Sequence, residues 1–216
     1  MLQISAENET AIQNLLLAFE EESNANARYS ACAARADTEE FKGIASLFRA
    51  TARAEHIHAA NHARVIRQLG EKPWCTIHVA PLGGTLENLK AALAFEEYEI
   101  DFSYPAILEE EKAMKDSDLL RTLKGALEAA KTHARLFSEA IALMESEVSP
   151  KSGVRQTSCV PSKCSAPLKC CGNVSWVRAV RSFYVCPHCG AVAKTRGEFD
   201  LCPVCRGAME LFEEMR

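Results

Sequence analysis

Nowhere in the 216-residue chain do about eighteen apolar residues follow one another, so no membrane-spanning helix is expected. The opening stretch MLQISAENETAIQ lacks both the basic segment and the apolar segment of a secretory signal. A cytoplasmic location without membrane attachment is therefore expected. Cysteine is almost missing from the first 158 residues, where only Cys32 and Cys75 occur; the other eight of ten follow. In a cytoplasmic chain, cysteines gathered as Cys-x-x-Cys pairs favour metal binding over disulfides. Positive charge is scarce in residues 1–149, which carry net −9, whereas residues 150–216 carry +5. A basic tail suits nucleic acid, or a small module that docks on an acidic neighbour.

Four helical segments are expected in the first 149 residues, near Ser5–Ala36, Thr38–Leu69, Thr85–Lys115 and Ser117–Glu147. Ser5 is a plausible N-cap, and Gly70 a stop. Pro105 falls inside the third segment and predicts a kink or a locally widened turn there. Each segment spans roughly 45 Å at the rise of an α-helix. Four matched helices with the longest connection between the second and third indicate a mainly α, ferritin-like four-helix bundle. Residues 149–181, rich in Ser, Pro, Lys and Cys and without periodicity, read as a linker. Residues 182–216 read as a small β-ribbon, expected to fold around a core separate from that of the bundle (residues 1–148).

The bundle carries an internal repeat. Tyr29 and Tyr104 lie 75 residues apart, as do His58 and His133, while Glu22 precedes Glu97 by 75 and Glu96 by 74. Glu55 and His58 form a Glu-x-x-His pair on one helix face, and Glu96 and Glu99 share another. Such carboxylates and imidazoles on four helices suit two hard, redox-active cations such as iron or manganese. Adding 75 to Glu55, however, gives Ala130, where a second bridging carboxylate belongs. Glu128 lies about 200° round the helix from that position. Glu97 could approach if Pro105 widens the helix there.

The stretches AFEEESNANARY, IASLFRATARAEHIHA, EEYEIDFSYP and KTHARLF, with the ribbon behind them, resemble the rubrerythrin family over nearly the whole chain. The resemblance implies Glu22, Glu55, His58, Glu96, Glu99 and His133 as ligands of a di-iron site. Glu55, His58 and Glu99 would stand at the reacting metals, and Tyr29 and Tyr104 would hydrogen-bond ligand carboxylates. It further implies reduction of hydrogen peroxide to water, a separate reductase or rubredoxin as electron donor, and a homodimer in which each ribbon sits beside the partner's bundle. Ala130 departs from the family pattern and would weaken the second metal or open it to water.

Cys186-x-x-Cys189 and Cys202-x-x-Cys205 supply four thiolates for tetrahedral iron or zinc. Spacing does not choose between them; the resemblance to the family's rubredoxin-like domain favours iron as an electron carrier. Cys159, Cys164, Cys170 and Cys171 fall in the linker, without an evident fixed site. Cys32, Phe19, Phe48, Phe95, Phe102 and Phe137 are expected in the core. His56 and His62 are expected to face solvent or to support the ligands. Two other readings stand beside peroxide reduction. One is a metal-binding or electron-transfer protein with an impaired bundle site. The other is a zinc-ribbon module on a helical dimer, although the ribbon offers few aromatic residues for a nucleic-acid partner.

Overall fold

The computed structural model describes residues 6–78, 81–111, 117–148 and 176–216. The Ser5 cap and the four linker cysteines lie outside them. Helices α1 (Ala6–Thr38) and α2 (Lys42–Gln68) pack along each other. The third long helix is α3 (Thr85–Tyr98), a π turn (Glu99–Ser103) and α4 (Tyr104–Glu110), and it pairs with α5 (Ser117–Val148). The long connection after Gln68 crosses between the two pairs, as the sequence indicates. Among the described residues no helix is long and apolar enough to cross a membrane.

The π turn follows from Pro105. Proline has no amide hydrogen to return to the carbonyl of Asp101, and its ring crowds that carbonyl. The chain instead bonds the Tyr104 amide to Glu99 O, one residue further back than in an α-helix. The extra residue turns Glu99, Ser103 and Tyr104 inward together with Glu96, and leaves Phe102 two-thirds exposed, stacked on Tyr98. Phe102 is thus not the core residue its helical position suggests. Phe48 and Phe137 are fully buried, Cys32 nearly so, and Phe19 and Phe95 are half-buried at the core's edge.

The ribbon is a three-stranded antiparallel sheet in the order β2–β1–β3, with β1 Phe183–Val185, β2 Val192–Ala193 and β3 Glu213–Met215. It lies on the bundle of its own chain, against α2 and α5. Its core is not separate. Phe183, Val185 and Val192 belong to one buried cluster with Ile44, Leu47, Phe48 and Phe137, because the strands are too short to bury both faces among themselves. Val177 adds a polar tie. The start of α2 has no side-chain cap, and the amides of Gly43 and Ile44 donate to Val177 O at 3.0 and 3.3 Å. Around this seam Arg53 grips Glu213 through two bonds of 2.7 and 2.9 Å, and Lys194 reaches Glu139 at 2.5 Å.

Because the core is continuous, Phe183→Ala should destabilise the helices as well as the ribbon, by about 3–5 kcal/mol. Denaturant unfolding followed by far-ultraviolet circular dichroism measures this. A helical transition that stays in place would mean that bundle and ribbon do not share a core.

Candidate metal centres

Glu22 comes from α1, Glu55 and His58 from α2, Glu96 from α3, Glu99 from the π turn and His133 from α5. All six are buried. Their ligating atoms form two overlapping groups, Glu22–Glu55–His58 and Glu55–Glu96–His133, each within 4.8 Å. Nδ1 of His58 lies 2.8 Å from Glu55 Oε2 and 3.2 Å from Glu22 Oε1. Nδ1 of His133 lies 3.2 Å from Glu55 Oε1 and 3.3 Å from Glu96 Oε2. Glu55 thus turns one oxygen to each half. Glu99 is buried near these carboxylates but belongs to neither group.

At the place that the repeat pairs with Glu55 the chain has Ala130, which is buried, and among the described residues neither of the two nearby glutamates replaces it. Glu128 points to solvent and pairs with Lys131. Glu97 is also exposed, because the wide turn begins at Glu99, two residues too late to rotate it inward.

Both tyrosines support carboxylates. The Tyr29 hydroxyl donates to Glu96 at 2.8 Å, and that of Tyr104 donates to Glu22. His56 faces solvent, but His62 is fully buried between Tyr104 and Thr122. Burial, aided by the nearby His58, pushes the His62 pKa down to about 3, so this imidazole is neutral. Of the two roles expected for His62, the structure thus shows the supporting one, and its place four residues after His58, on the same helix face, is the sequence signal for it.

In the ribbon, Sγ of Cys186 lies 3.5 Å from that of Cys205, and Sγ of Cys189 lies 3.4 Å from that of Cys202. These separations are far beyond a disulfide bond of about 2.05 Å and suit the edges of a small thiolate tetrahedron. Two like turns build it. Gly190 N donates to Cys186 O and Arg206 N to Cys202 O, both at 3.0 Å, with positive φ at Gly190 and Arg206.

The first turn also touches the bundle site, a contact the sequence did not announce. Nε2 of His58 lies 3.0 Å from Cys189 O, and Nε2 of His133 lies 3.1 Å from Gly190 O. Carbonyl oxygens only accept, so both Nε2 atoms carry hydrogen. In the neutral imidazoles this leaves the Nδ1 lone pairs directed at the carboxylates. Gly190 is required twice over, for its φ of 75° and because a side chain there would collide with His58 Nε2.

The donor set fits metal. Both oxygens of Glu55, one each of Glu22 and Glu99, and Nδ1 of His58 are buried without a well-aligned hydrogen-bond partner. Such a group of unsatisfied atoms is costly unless cations complete it.

The rubrerythrin family profile matches residues 13–141, a span that contains all six of these residues. The chain belongs to the rubrerythrin family. It is 35% identical over 140 residues to Rubrerythrin-2 of Clostridium acetobutylicum, covering 63% of this chain and 75% of that one. It is 26% identical over 208 residues to nigerythrin of Nitratidesulfovibrio vulgaris, covering 93% and 86%. A solved nigerythrin structure in its fully reduced, all-ferrous state shares the fold with a TM-score of 0.72 at 24% identity, over 94% of this chain and 86% of that one.

The ionisation of this rubrerythrin-family cluster sets a pH dependence. Burial alone would lower the His58 pKa, but Glu22 and Glu55 outweigh it and lift it to about 10. His133 is likewise lifted by Glu96 and Glu55 against the effect of burial. Glu99 is raised by burial and then by the neighbouring carboxylates. Without bundle metal, His58 and His133 in the folded chain therefore hold protons that the unfolded chain releases near pH 6.5, and Glu99 holds one that the unfolded chain releases at lower pH. Stability that these histidines contribute is fully present below about pH 6.5 and is lost as pH rises towards about 10. His62 has the opposite sign, but it acts only between about 3 and its ordinary value. With the thiolate site loaded and the bundle metal-free, the denaturation midpoint should be lower at pH 9 than at pH 7. Loading the bundle should remove this fall, because the ligands are then deprotonated already. A metal-free midpoint that rises over this range would contradict the charge assignment.

Proposed function

We propose that the chain is a peroxide reductase, reducing hydrogen peroxide to water with two irons in the bundle and a third in the ribbon. Glu22, Glu55 and His58 would hold one bundle iron, and Glu55, Glu96 and His133 the other, with the buried Glu99 as a further ligand. Cys186, Cys189, Cys202 and Cys205 would hold the third. When bound, two adjacent ferrous ions supply one electron each and stabilise both oxygens of the breaking bond. Family membership and the all-ferrous nigerythrin of the same fold support iron over zinc.

The observation that carries this reading is the sharing of Glu55 between two buried ligand groups, with both imidazoles backed by the ribbon. The chain's own residues do three things here. Glu55 sets the two halves side by side. The carbonyls of Cys189 and Gly190 fix the histidine tautomers. The backbone at Cys189–Gly190 also joins the thiolate turn to both imidazoles through one hydrogen bond each, a short route for electrons between ribbon and bundle. A reductase or rubredoxin would supply the ribbon. Cytoplasmic location and homodimerisation belong to this proposal.

Ala130 favours a second reading, a metal-binding or electron-transfer protein with little turnover. Four carboxylates balance two divalent ions and leave two trivalent ions under-compensated.

Metal analysis of anaerobically purified protein, with stopped-flow oxidation by peroxide, tests the first reading. Three irons per chain and a rapid rise of ferric absorbance as peroxide oxidises the ferrous protein are expected; one iron, or no reaction with peroxide, would favour the second. Ala130→Glu should raise both the bundle's affinity for iron and the oxidation rate, while lowering the stability of the metal-free bundle by adding a buried like charge. If neither affinity nor rate changes, Ala130 is not a missing bridge.

A further inference from the structure

Behind Tyr104 a polar chain leaves the metal cluster and runs to the surface. The Tyr104 hydroxyl spends its hydrogen on Glu22. Nε2 of His62, 3.1 Å from the same phenol oxygen, must therefore be the donor to it. Nδ1 of His62 is then an acceptor, and Thr122 Oγ1, 3.0 Å away, donates to it. These three bonds allow a single tautomer and a single direction, with every hydrogen pointing towards Glu22. Thr122 also lines an open crevice of about 540 Å³ between α2, α5 and the ribbon, with Arg64, Arg121 and Lys124 on its wall. The chain thus begins where water reaches and ends on a proposed metal ligand.

The other half of the repeat shows what packing alone would require. Tyr29 donates to Glu96 as Tyr104 does to Glu22, but behind it stand Phe48 and Phe137, with ring centroids at 6.0 and 5.5 Å. Adding the repeat of 75 to His62 gives Phe137. An apolar ring therefore fills the equivalent place in the first half. A buried imidazole and hydroxyl cost desolvation that a phenyl ring avoids, so filling space does not account for them.

We propose that Thr122, His62 and Tyr104 form a proton relay from the crevice to Glu22. Reduction of one peroxide to two waters consumes two electrons and two protons. Under the proposed function the electrons come from the ribbon and bundle irons, and the buried site must draw its protons from solvent. In each passage a crevice water gives a proton to Thr122 Oγ1 as the threonine's own proton moves to His62 Nδ1. The proton on Nε2 passes to Tyr104, and the phenol proton passes to the Glu22 carboxylate. Each group breaks one O–H or N–H bond and forms another, so none of the three ends charged. The hydroxide left in the crevice is reprotonated by solvent, and the relay resets by rotation of the two hydroxyls and exchange of the imidazole tautomer. The relay's role in turnover rests on the peroxide-reductase reading; its direction does not.

Two measurements test it. In protein loaded with zinc, which is redox-inert and diamagnetic, nitrogen NMR of labelled histidine should show His62 neutral, with its hydrogen on Nε2. Hydrogen on Nδ1 would overturn the relay whatever the reaction proves to be. In iron-loaded protein, Thr122→Val and His62→Gln should each slow peroxide-driven turnover at least about tenfold. KM and iron content should stay unchanged, and the solvent deuterium isotope effect should grow. Wild-type rates and isotope effects in both variants would also overturn it. A wild-type protein inert to peroxide would refute the proposed function instead, and the tautomer of His62 would then decide the relay alone.

Discussion

The hydrogen bonds from the two bundle imidazoles to the carbonyls of Cys189 and Gly190 are the interaction on which the rest depends. They fix which nitrogen of each ring faces the carboxylates, hold the rings parallel within 20° at 5.8 Å, and place the four-cysteine turn against the bundle. The turn can approach so closely only because Gly190 has no side chain and because Ala54 and Ala129 present small residues beneath it. The joined hydrophobic core and the flanking Arg53–Glu213 pair then hold the ribbon in the register those bonds require.

Charge is the second constraint. Four buried carboxylates and two imidazoles make a site whose metal-free form survives by keeping protons on its histidines and on Glu99. Cations replace those protons, so metal binding and proton release are one event. Ala130, where the internal repeat would put a fifth carboxylate, leaves the cluster with four, a charge that balances two divalent ions better than two trivalent ones. The polar chain behind Tyr104 connects this proton balance to solvent, and the phenylalanines behind Tyr29 close off the other half.

Much of this was legible in the sequence because it is written in spacing. The repeat of 75, Glu55 three before His58, and the two Cys-x-x-Cys pairs follow from helix and turn geometry, and the structure brings those residues together. Pro105 announced the wide turn, although not which residues it would rotate: Phe102 goes out, and Glu97 is untouched because it precedes the turn. The ribbon's shared core and the role of Gly190 were hidden, since they depend on a surface made by two helices distant in sequence. His62 was legible only as a neighbour of His58; its meaning came from Thr122, sixty residues away.

The central claim is that the Cys189–Gly190 turn holds the bundle histidines in place, and Gly190→Ala tests it most directly. The added methyl group would meet His58 Nε2 and strain a backbone at positive φ, so the turn must retreat from both rings. The measurement is the rate of electron transfer from the reduced ribbon to the oxidised bundle, taken with the bundle's metal affinity in the same variant. The account predicts a fall in both, with the four-thiolate spectrum retained. Wild-type transfer and affinity in Gly190→Ala would show that the histidines are held by something else.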